Sequence, residues 1–146
     1  MAIFGAGSTW DATYEQKDYF FDNGIYEIGW QYSDAQDLYD AFSLLKAGDI
    51  IYLKSNSPGS RDIKVKGVGV MVTSFIHSLL SGINGSKPED KDGSFRVRLQ
   101  VKWLIKNEFY ISIPASEGKL TNVRAATFYE ESLPHVQQAI IDKLFP

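Results

Sequence analysis

The chain has 146 residues, enough for one ordinary domain that buries its own hydrophobic core. It carries 15 Lys and Arg against 18 Asp and Glu. The resulting charge of −3 argues against a long duplex-binding footprint, which needs a basic excess, but not against a small pocket with a basic rim. The absence of cysteine excludes disulfides, thiolate metal ligands and a cysteine nucleophile.

The amino terminus has neither a basic start nor a long apolar run, so we do not expect a secretory signal. No stretch approaches the roughly 18 apolar residues of a membrane span. We therefore predict a single cytoplasmic domain over residues 1–146. Aromatic residues make up 14% of the chain, which is high, and some of them are expected to serve a surface.

The first half of the chain predicts three strands and two helices. Strands are expected at 2–6, 25–30 and 50–54, because these runs alternate or are continuously apolar between turn residues. A helix is expected over 11–21, with Asp11 as its N-cap.

The clearest element is a helix over 34–46. Ser33 and Gln36 have the spacing of a capping box, and Gly48 is the expected left-handed stop. Its apolar residues recur at helical spacing: Ala35, Leu38, Tyr39, Phe42 and Leu45.

The second half predicts strands at 63–74, 95–105 and 109–113 and a closing helix that begins at Pro134. A short helix over 76–83 and a mobile polar loop over 84–93 complete the pattern, and the stretch 121–131 fits no single element. Gly67 and Gly69 indicate a bulge or a close approach. The fold class is α+β, with five or six strands curling into a small barrel-like sheet against two or three helices.

Two basic stripes follow predicted strands. Lys64 and Lys66 leave one face of 63–74, and Arg96, Arg98 and Lys102 leave one face of 95–105. If the two strands are neighbours, the stripes form a basic wall suited to phosphate. Taken singly, each stripe is more typical of a solvated strand face, and opposed acidic residues would cancel it.

Tryptophans are the second set of candidates. Trp10 lies in a predicted loop and Trp30 lies at a strand end, and both places are typical of base-stacking aromatics. The alternation around Trp103 favours core packing.

No nucleophile elbow or other catalytic set is visible, and the isolated His77 and His135 predict no metal site.

Four segments, taken in order, resemble PUA-like domains. They are Ile-Gly-Trp at 28–30, Gly-Asp-Ile-Ile-Tyr-Leu-Lys at 48–54, Ile-Lys-Val-Lys-Gly-Val-Gly-Val-Met at 63–71 and Val-Lys-Trp-Leu at 101–104. The likeness spans 25–105 and also the stretch 125–128, and it is closest to EVE-like modules associated with Mrr- and Mcr-type restriction systems. It implies a pseudo-barrel like that of YTH and ASCH domains. Several such domains grip a flipped or single-stranded modified base in an aromatic pocket.

The leading hypothesis is recognition of a nucleic-acid base or nucleotide, including a modified base, in a restriction or phage-defence setting, with no cofactor. Stacking plus contacts to the base edge would repay the few kcal/mol that base extrusion costs. The candidate ligand-binding residues are Trp10, Trp30, Tyr32 and Trp103 for stacking, and Lys54, Ser55, Lys64 and Lys66 for base edges or phosphate.

Two alternatives stay open. A protein-interaction module that kept the fold without the pocket would show an exposed apolar patch and no cavity. A nucleotide-processing enzyme of ASCH type would show a pocket with a carboxylate beside Lys54.

Overall fold

The computed structural model describes residues 1–30, 34–55, 61–81, 97–117 and 127–146. Its strands are β1 (Ile3–Ala6), β2 (Thr9–Trp10), β3 (Tyr14–Glu15), β4 (Ile25–Tyr26), β5 (Ile50–Ser55), β6 (Asp62–Met71), β7 (Leu99–Ile105), β8 (Phe109–Ser112) and β9 (Phe128–Glu130). Its α-helices are α1 (Lys17–Asn23), α2 (Gln36–Phe42), α3 (Phe75–Ser81) and α4 (Pro134–Leu144).

Seven strands form one sheet in the order β4-β7-β6-β5-β1-β9, with β8 also paired to β6. Only the β1–β5 pair is parallel among the described pairs. Strand β6 pairs with β8 through residues 62–65 and with β7 through residues 68–71. One strand therefore serves two antiparallel neighbours in succession, which requires the sheet to curl.

A β-bulge at Lys66 produces this change of partner. Leu53 pairs with Gly67 and the next residue, Lys54, pairs with Val65, so Lys66 is the extra residue. A second irregularity follows between Val68 and Gly69. Bulges bend the strand and increase its twist. The expected bulge near Gly67 and the small curved sheet are both confirmed.

Both faces of the sheet are covered, and each has its own core. Helices α1, α2 and α3 contribute Phe20, Phe42 and Phe75 to one core, and α4 contributes Val136 and Ile140 to the other. Along β5 the buried side chains alternate between the two: Ile51 and Leu53 enter the first, Ile50 and Tyr52 the second. This double burial explains why β5 is almost continuously apolar.

The helix expected over 34–46 exists but is shorter. Helix α2 ends at Phe42, and turns lead from there to Gly48, whose φ of 92° is the left-handed conformation expected of it. The N-cap is Ala35, without a side-chain cap bond, and the predicted capping residue Ser33 lies outside the described residues. Phe42 and Leu45 are buried, as the helical spacing predicted.

The prediction of a helix over 11–21 is wrong for the first half of that range. Residues 9–15 form a two-stranded hairpin, β2–β3, and α1 begins only at Lys17. Asp11 and Ala12 adopt left-handed φ values of 52° and 56°, and the Thr13 N–H donates to the Trp10 carbonyl at 3.0 Å. Asp11 thus belongs to a turn and is not a helix cap.

The other predictions differ mainly at element ends. The strand expected at 25–30 stops at Tyr26, and the strand expected at 63–74 stops at Met71. The described part of the chain has four α-helices where two or three helices were expected, and a 3-10 helix at Ala115–Glu117. The stretch 121–131 contains β9 at its end. The predicted loop 84–93 and the start of the strand predicted at 95–105 lie outside the described residues.

Replacing Phe42 with alanine should lower the free energy of unfolding by about 3–5 kcal/mol. Its ring is 0% exposed and meets Tyr26, Tyr39, Phe75 and Phe128 in edge-on contacts, so truncation leaves a cavity. Urea unfolding would measure the change. Leu44→Ala, at a side chain 53% exposed, is the matched control and should shift stability by no more than about 0.5 kcal/mol.

Candidate binding pocket

A pocket of about 420 Å³ opens where the β2–β3 hairpin approaches the chain that follows β4. This volume is within the usual range for small-ligand sites. Its lining residues come from three separate parts of the sequence: Gly7, Thr9, Trp10, Asp11, Ala12, Gly29, Trp30 and Thr127.

Trp10 forms one wall. Its indole lies directly on the backbone of Gly29, where an added Cβ would be 2.6 Å from the indole carbons Cγ and Cδ1. The indole also contacts the Phe20 ring edge-on, with 6.3 Å between centroids. Only glycine at position 29 leaves room for this ring, so Gly29 determines where the wall stands.

Trp30 forms the other wall and is 53% exposed. Its indole N–H donates to the Thr127 hydroxyl at 3.2 Å, and its backbone carbonyl accepts a 2.7 Å hydrogen bond from the Tyr39 hydroxyl. The side chain is therefore held in place while much of its surface faces solvent. An aromatic residue pre-organised in this way loses little entropy when it binds a ligand.

Polar groups at the pocket come from Asp11 and Thr127. The Asp11 carboxylate is a hydrogen-bond acceptor. The Thr127 oxygen accepts from Trp30, which leaves its own hydrogen able to be donated. The left-handed conformations of Asp11 and Ala12 each cost of order 1 kcal/mol or more, and such strain is often found at functional sites.

Lys66 does not lie on a solvated face. It is 6% exposed, and its Nζ donates to Glu15 Oε2 at 2.8 Å, Ser8 Oγ at 3.0 Å and Thr9 Oγ1 at 3.3 Å. Burial raises the pKa of Glu15, but hydrogen bonds from Lys66, Thr9 and Ser8 outweigh burial and hold this pKa at about 2. The ammonium is thus engaged inside the protein, beneath the hairpin.

The two basic stripes do not join into one wall. Lys64 is in register with Tyr110 of β8, whereas Lys102 of β7 is in register with Val70, because β6 changes partner between these points. Lys64 Nζ lies 3.3 Å from Glu108, and Arg98 Nε donates to Glu27 at 3.1 Å, so acidic partners offset both charges. Arg96 lies outside the described residues.

Lys54 and Ser55 lie at the end of β5 and do not line the pocket. Lys54 is buried, with its Nζ 5.3 Å from the centroid of the Tyr129 ring, and burial together with the nearby Lys66 charge lowers its pKa to about 8. Next to it, the Tyr52 hydroxyl donates to Glu131 at 2.6 Å. Ser55 is exposed.

Trp103 is a core residue at 8% exposure. Its indole N–H donates to the Ile25 carbonyl at 3.2 Å, and its ring contacts Phe21 edge-on. Tyr32 lies outside the described residues. Of the eight predicted ligand-binding residues, the pocket therefore brings together Trp10 and Trp30.

Asp11, Gly29 and Thr127 were not predicted as site residues. Thr127 entered the sequence analysis only as part of the stretch that resembles the family. No local pattern links it to Trp10 or Trp30, which lie more than 90 positions earlier. Within the described ranges, no group of three His, Asp or Glu side chains could hold a metal ion, and no helix is long and apolar enough to cross a membrane.

No family model and no curated protein matches the chain. Solved structures are similar in fold. Rpa0253 from Rhodopseudomonas palustris superposes with a TM-score of 0.51 at 11% identity, covering 100% of this chain and 96% of that one.

Two YTH domains are also similar. That of the Zygosaccharomyces rouxii MRB1 protein, in complex with N6-methyladenosine RNA, has a TM-score of 0.52 at 23% identity over 99% of this chain and 86% of that one. The Pho92 YTH domain, in complex with m6A, has a TM-score of 0.52 at 20% identity over 99% and 85%. At these identities the likeness establishes a shared curled-sheet fold.

Gly29→Ala should displace Trp10 and lower the free energy of unfolding by about 1–3 kcal/mol, because the new methyl group would overlap the indole. Gly7→Ala is the matched control within the same pocket. A Cβ there would have its nearest neighbour at 3.5 Å, an ordinary contact. Equal stability and unchanged tryptophan fluorescence in both variants would contradict the packing of Trp10 on Gly29.

The low pKa of Lys54 predicts a pH dependence of stability. Above about pH 8 the folded protein releases this proton, whereas the unfolded chain keeps it up to the ordinary pKa of 10.5. The unfolded state then binds more protons, so stability rises with pH in this window. The free energy of unfolding of the wild type, minus that of Lys54→Met, should increase by about 2–3 kcal/mol from pH 7 to 10.5. The same difference taken against Leu44→Ala, which removes no titratable group, should stay flat.

Proposed function

We propose that this protein binds a nucleobase between Trp10 and Trp30, either in a single-stranded or flipped-out segment of nucleic acid or as a free nucleotide. One observation carries the proposal: a pocket of about 420 Å³ is walled by two indoles that are both held in position, one of them 53% exposed. A planar aromatic ligand is the natural occupant of such a site. Stacking on one aromatic side chain contributes about 1–3 kcal/mol per base.

The base edge would meet Asp11 and Thr127. A carboxylate accepts from an exocyclic amino group, and the Thr127 hydroxyl donates to a ring nitrogen or carbonyl. Affinity should come mainly from the pocket. The net charge is −3, and Lys64, Lys66 and Arg98 are each engaged with a carboxylate, which leaves little attraction for remote phosphates.

The shared fold suggests which ligand to test first. The two similar YTH domains were solved with N6-methyladenosine RNA and with m6A. N6-methyladenosine is therefore the first candidate, followed by methylated cytosine. The sequence resemblance to EVE-like modules supports the further proposal that base recognition serves a restriction or phage-defence system.

A second candidate function is protein interaction. Helix α3 exposes Ile76 and Leu80, and Val72 before it is also exposed. These three exposed side chains would be the apolar contacts for such a partner. The presence of a cavity with two ordered aromatic walls favours base binding over this alternative. The enzyme alternative has less support, since neither Lys54 nor the nearby Glu131 lines this pocket.

Trp30→Ala should weaken binding of an N6-methyladenosine oligonucleotide about 5- to 150-fold, which corresponds to the loss of one stack. Its effect on stability should be smaller than that of Phe42→Ala, because Trp30 is half exposed in the free protein. Tyr110→Ala removes another exposed aromatic residue, outside the pocket lining, and should leave affinity unchanged. Fluorescence titration would report both binding and stacking through tryptophan quenching.

The panel should include short single- and double-stranded oligonucleotides, with and without methylated adenine or cytosine, and free nucleotides. Affinity should depend weakly on oligonucleotide length. If none of these ligands binds or quenches fluorescence at low salt, base recognition is wrong and protein interaction becomes the leading function.

A further inference from the structure

We propose that Glu15 and Lys66 are positioning residues: their ion pair clamps the β2–β3 hairpin to the central sheet and thereby sets the place of the Trp10 wall. This inference rests on the proposed function for its effect on binding. It changes the predicted role of Lys66 from a phosphate contact to an internal anchor.

The hairpin needs such an anchor. Strands β2 and β3 contain two residues each and form a sheet of their own, and among the described residues no ladder joins them to the seven-stranded sheet. A two-stranded hairpin is marginal in isolation. Its turn also holds Asp11 and Ala12 in left-handed conformations, which lowers its intrinsic stability further.

Glu15 and Lys66 each make several hydrogen bonds within the ion pair and its surroundings. Each Glu15 oxygen accepts from a hydroxyl at 2.7 Å, Oε1 from Ser8 and Oε2 from Thr9. The Lys66 ammonium, which has three hydrogens, reaches Glu15, Ser8 and Thr9. The four side chains therefore form one closed network. Thr9 lines the pocket and precedes Trp10 directly, so the network ends one residue from the aromatic wall.

The β-bulge explains how Lys66 comes to this place. As the extra residue of β6, it has no partner in the β5 register, and it falls between the part of β6 that pairs with β8 and the part that pairs with β7. Bulges re-aim side chains in this manner. Lys64, two residues earlier, remains in the regular ladder and pairs with the exposed Glu108.

Lys66 is buried at 6% exposure, whereas the Glu15 side chain is 35% exposed, so the burial cost falls on the ammonium. Removing the Glu15 carboxylate would leave the buried Lys66 charge uncompensated, whereas replacing both residues by apolar ones is often tolerated. The nearby Lys54 charge adds a second ammonium, which increases the need for Glu15. A double apolar variant should therefore fold, and it would separate positioning from stability.

The experiment compares Lys66→Met, Glu15→Gln and the double variant Glu15→Met/Lys66→Met with Lys64→Met as the control. Nuclear magnetic resonance would follow the indole N–H signals of Trp10 and Trp30 in the free protein. Fluorescence titration with an N6-methyladenosine oligonucleotide at several salt concentrations would give affinity and its salt dependence.

We expect the Trp10 indole signal to shift or broaden in all three clamp variants, including the double variant, with affinity lowered about tenfold. The slope of log affinity against log salt should stay at its wild-type value for Lys66→Met. Loss of a phosphate contact would instead reduce that slope by about 0.7–0.9. Lys64→Met should leave the Trp10 signal unchanged.

An unchanged Trp10 signal in the folded double variant would overturn the inference, and so would a reduced salt slope for Lys66→Met. If the wild type binds none of the probes, the proposed function fails. The Trp10 resonance in the free protein then still decides whether the clamp exists.

Discussion

Strand β6 contains an extra residue at Lys66, and much of the molecule is arranged around it. Before the bulge, Ile63 and Val65 face the core under α4. After it, Val68 faces that same core. It lies three positions after Val65, whereas regular alternation would place the next core residue two positions after it. The bulge allows one strand to pair first with β8 and then with β7, which curls the sheet. It also leaves a lysine beneath the hairpin that carries Trp10.

Aromatic rings fill the spaces that glycines leave in this curled sheet. The Phe21 ring lies against Gly67, and the Trp103 and Val101 side chains lie against Gly69. A Cβ on either glycine would be less than 3 Å from these side chains, which is too close for any other residue. The same device recurs at the pocket, where Trp10 lies on Gly29. Glycines that indicate a bulge in the sequence are thus also the points at which large side chains pack onto the backbone.

The lysines fall into two groups that differ in burial and in their partners. Lys66 and Lys54 are buried and engaged within the protein, whereas Lys64 and Lys17 share the exposed Glu108. Each of these four lysines is thus engaged with an acidic or aromatic side chain of the protein. Under the proposed function, discrimination between ligands would come from shape, stacking and a few hydrogen bonds in the pocket, which read the base itself.

Features that depend on neighbours a few residues away could be predicted from the amino-acid sequence. Alternation along β7 correctly buries Leu99, Val101 and Trp103, Gly48 takes its left-handed φ, and Pro134 begins α4. The α+β class and the curled sheet followed from such local patterns. Trp10 and Trp30 were candidates because aromatic residues in loops beside strands are typical of binding surfaces.

Features that depend on residues far apart in the chain could not be predicted from local patterns. Residues 11–15 were predicted as helix, but Glu15 meets Lys66 and Trp10 meets Gly29, and these contacts favour a hairpin over local helix propensity. The pocket likewise joins Trp10, Trp30 and Thr127, which no periodicity connects. Lys64 and Lys66 were expected on one face of a strand, but a single bulge reverses which face each later residue occupies. Side-chain alternation within one strand does not show where that strand changes its neighbour.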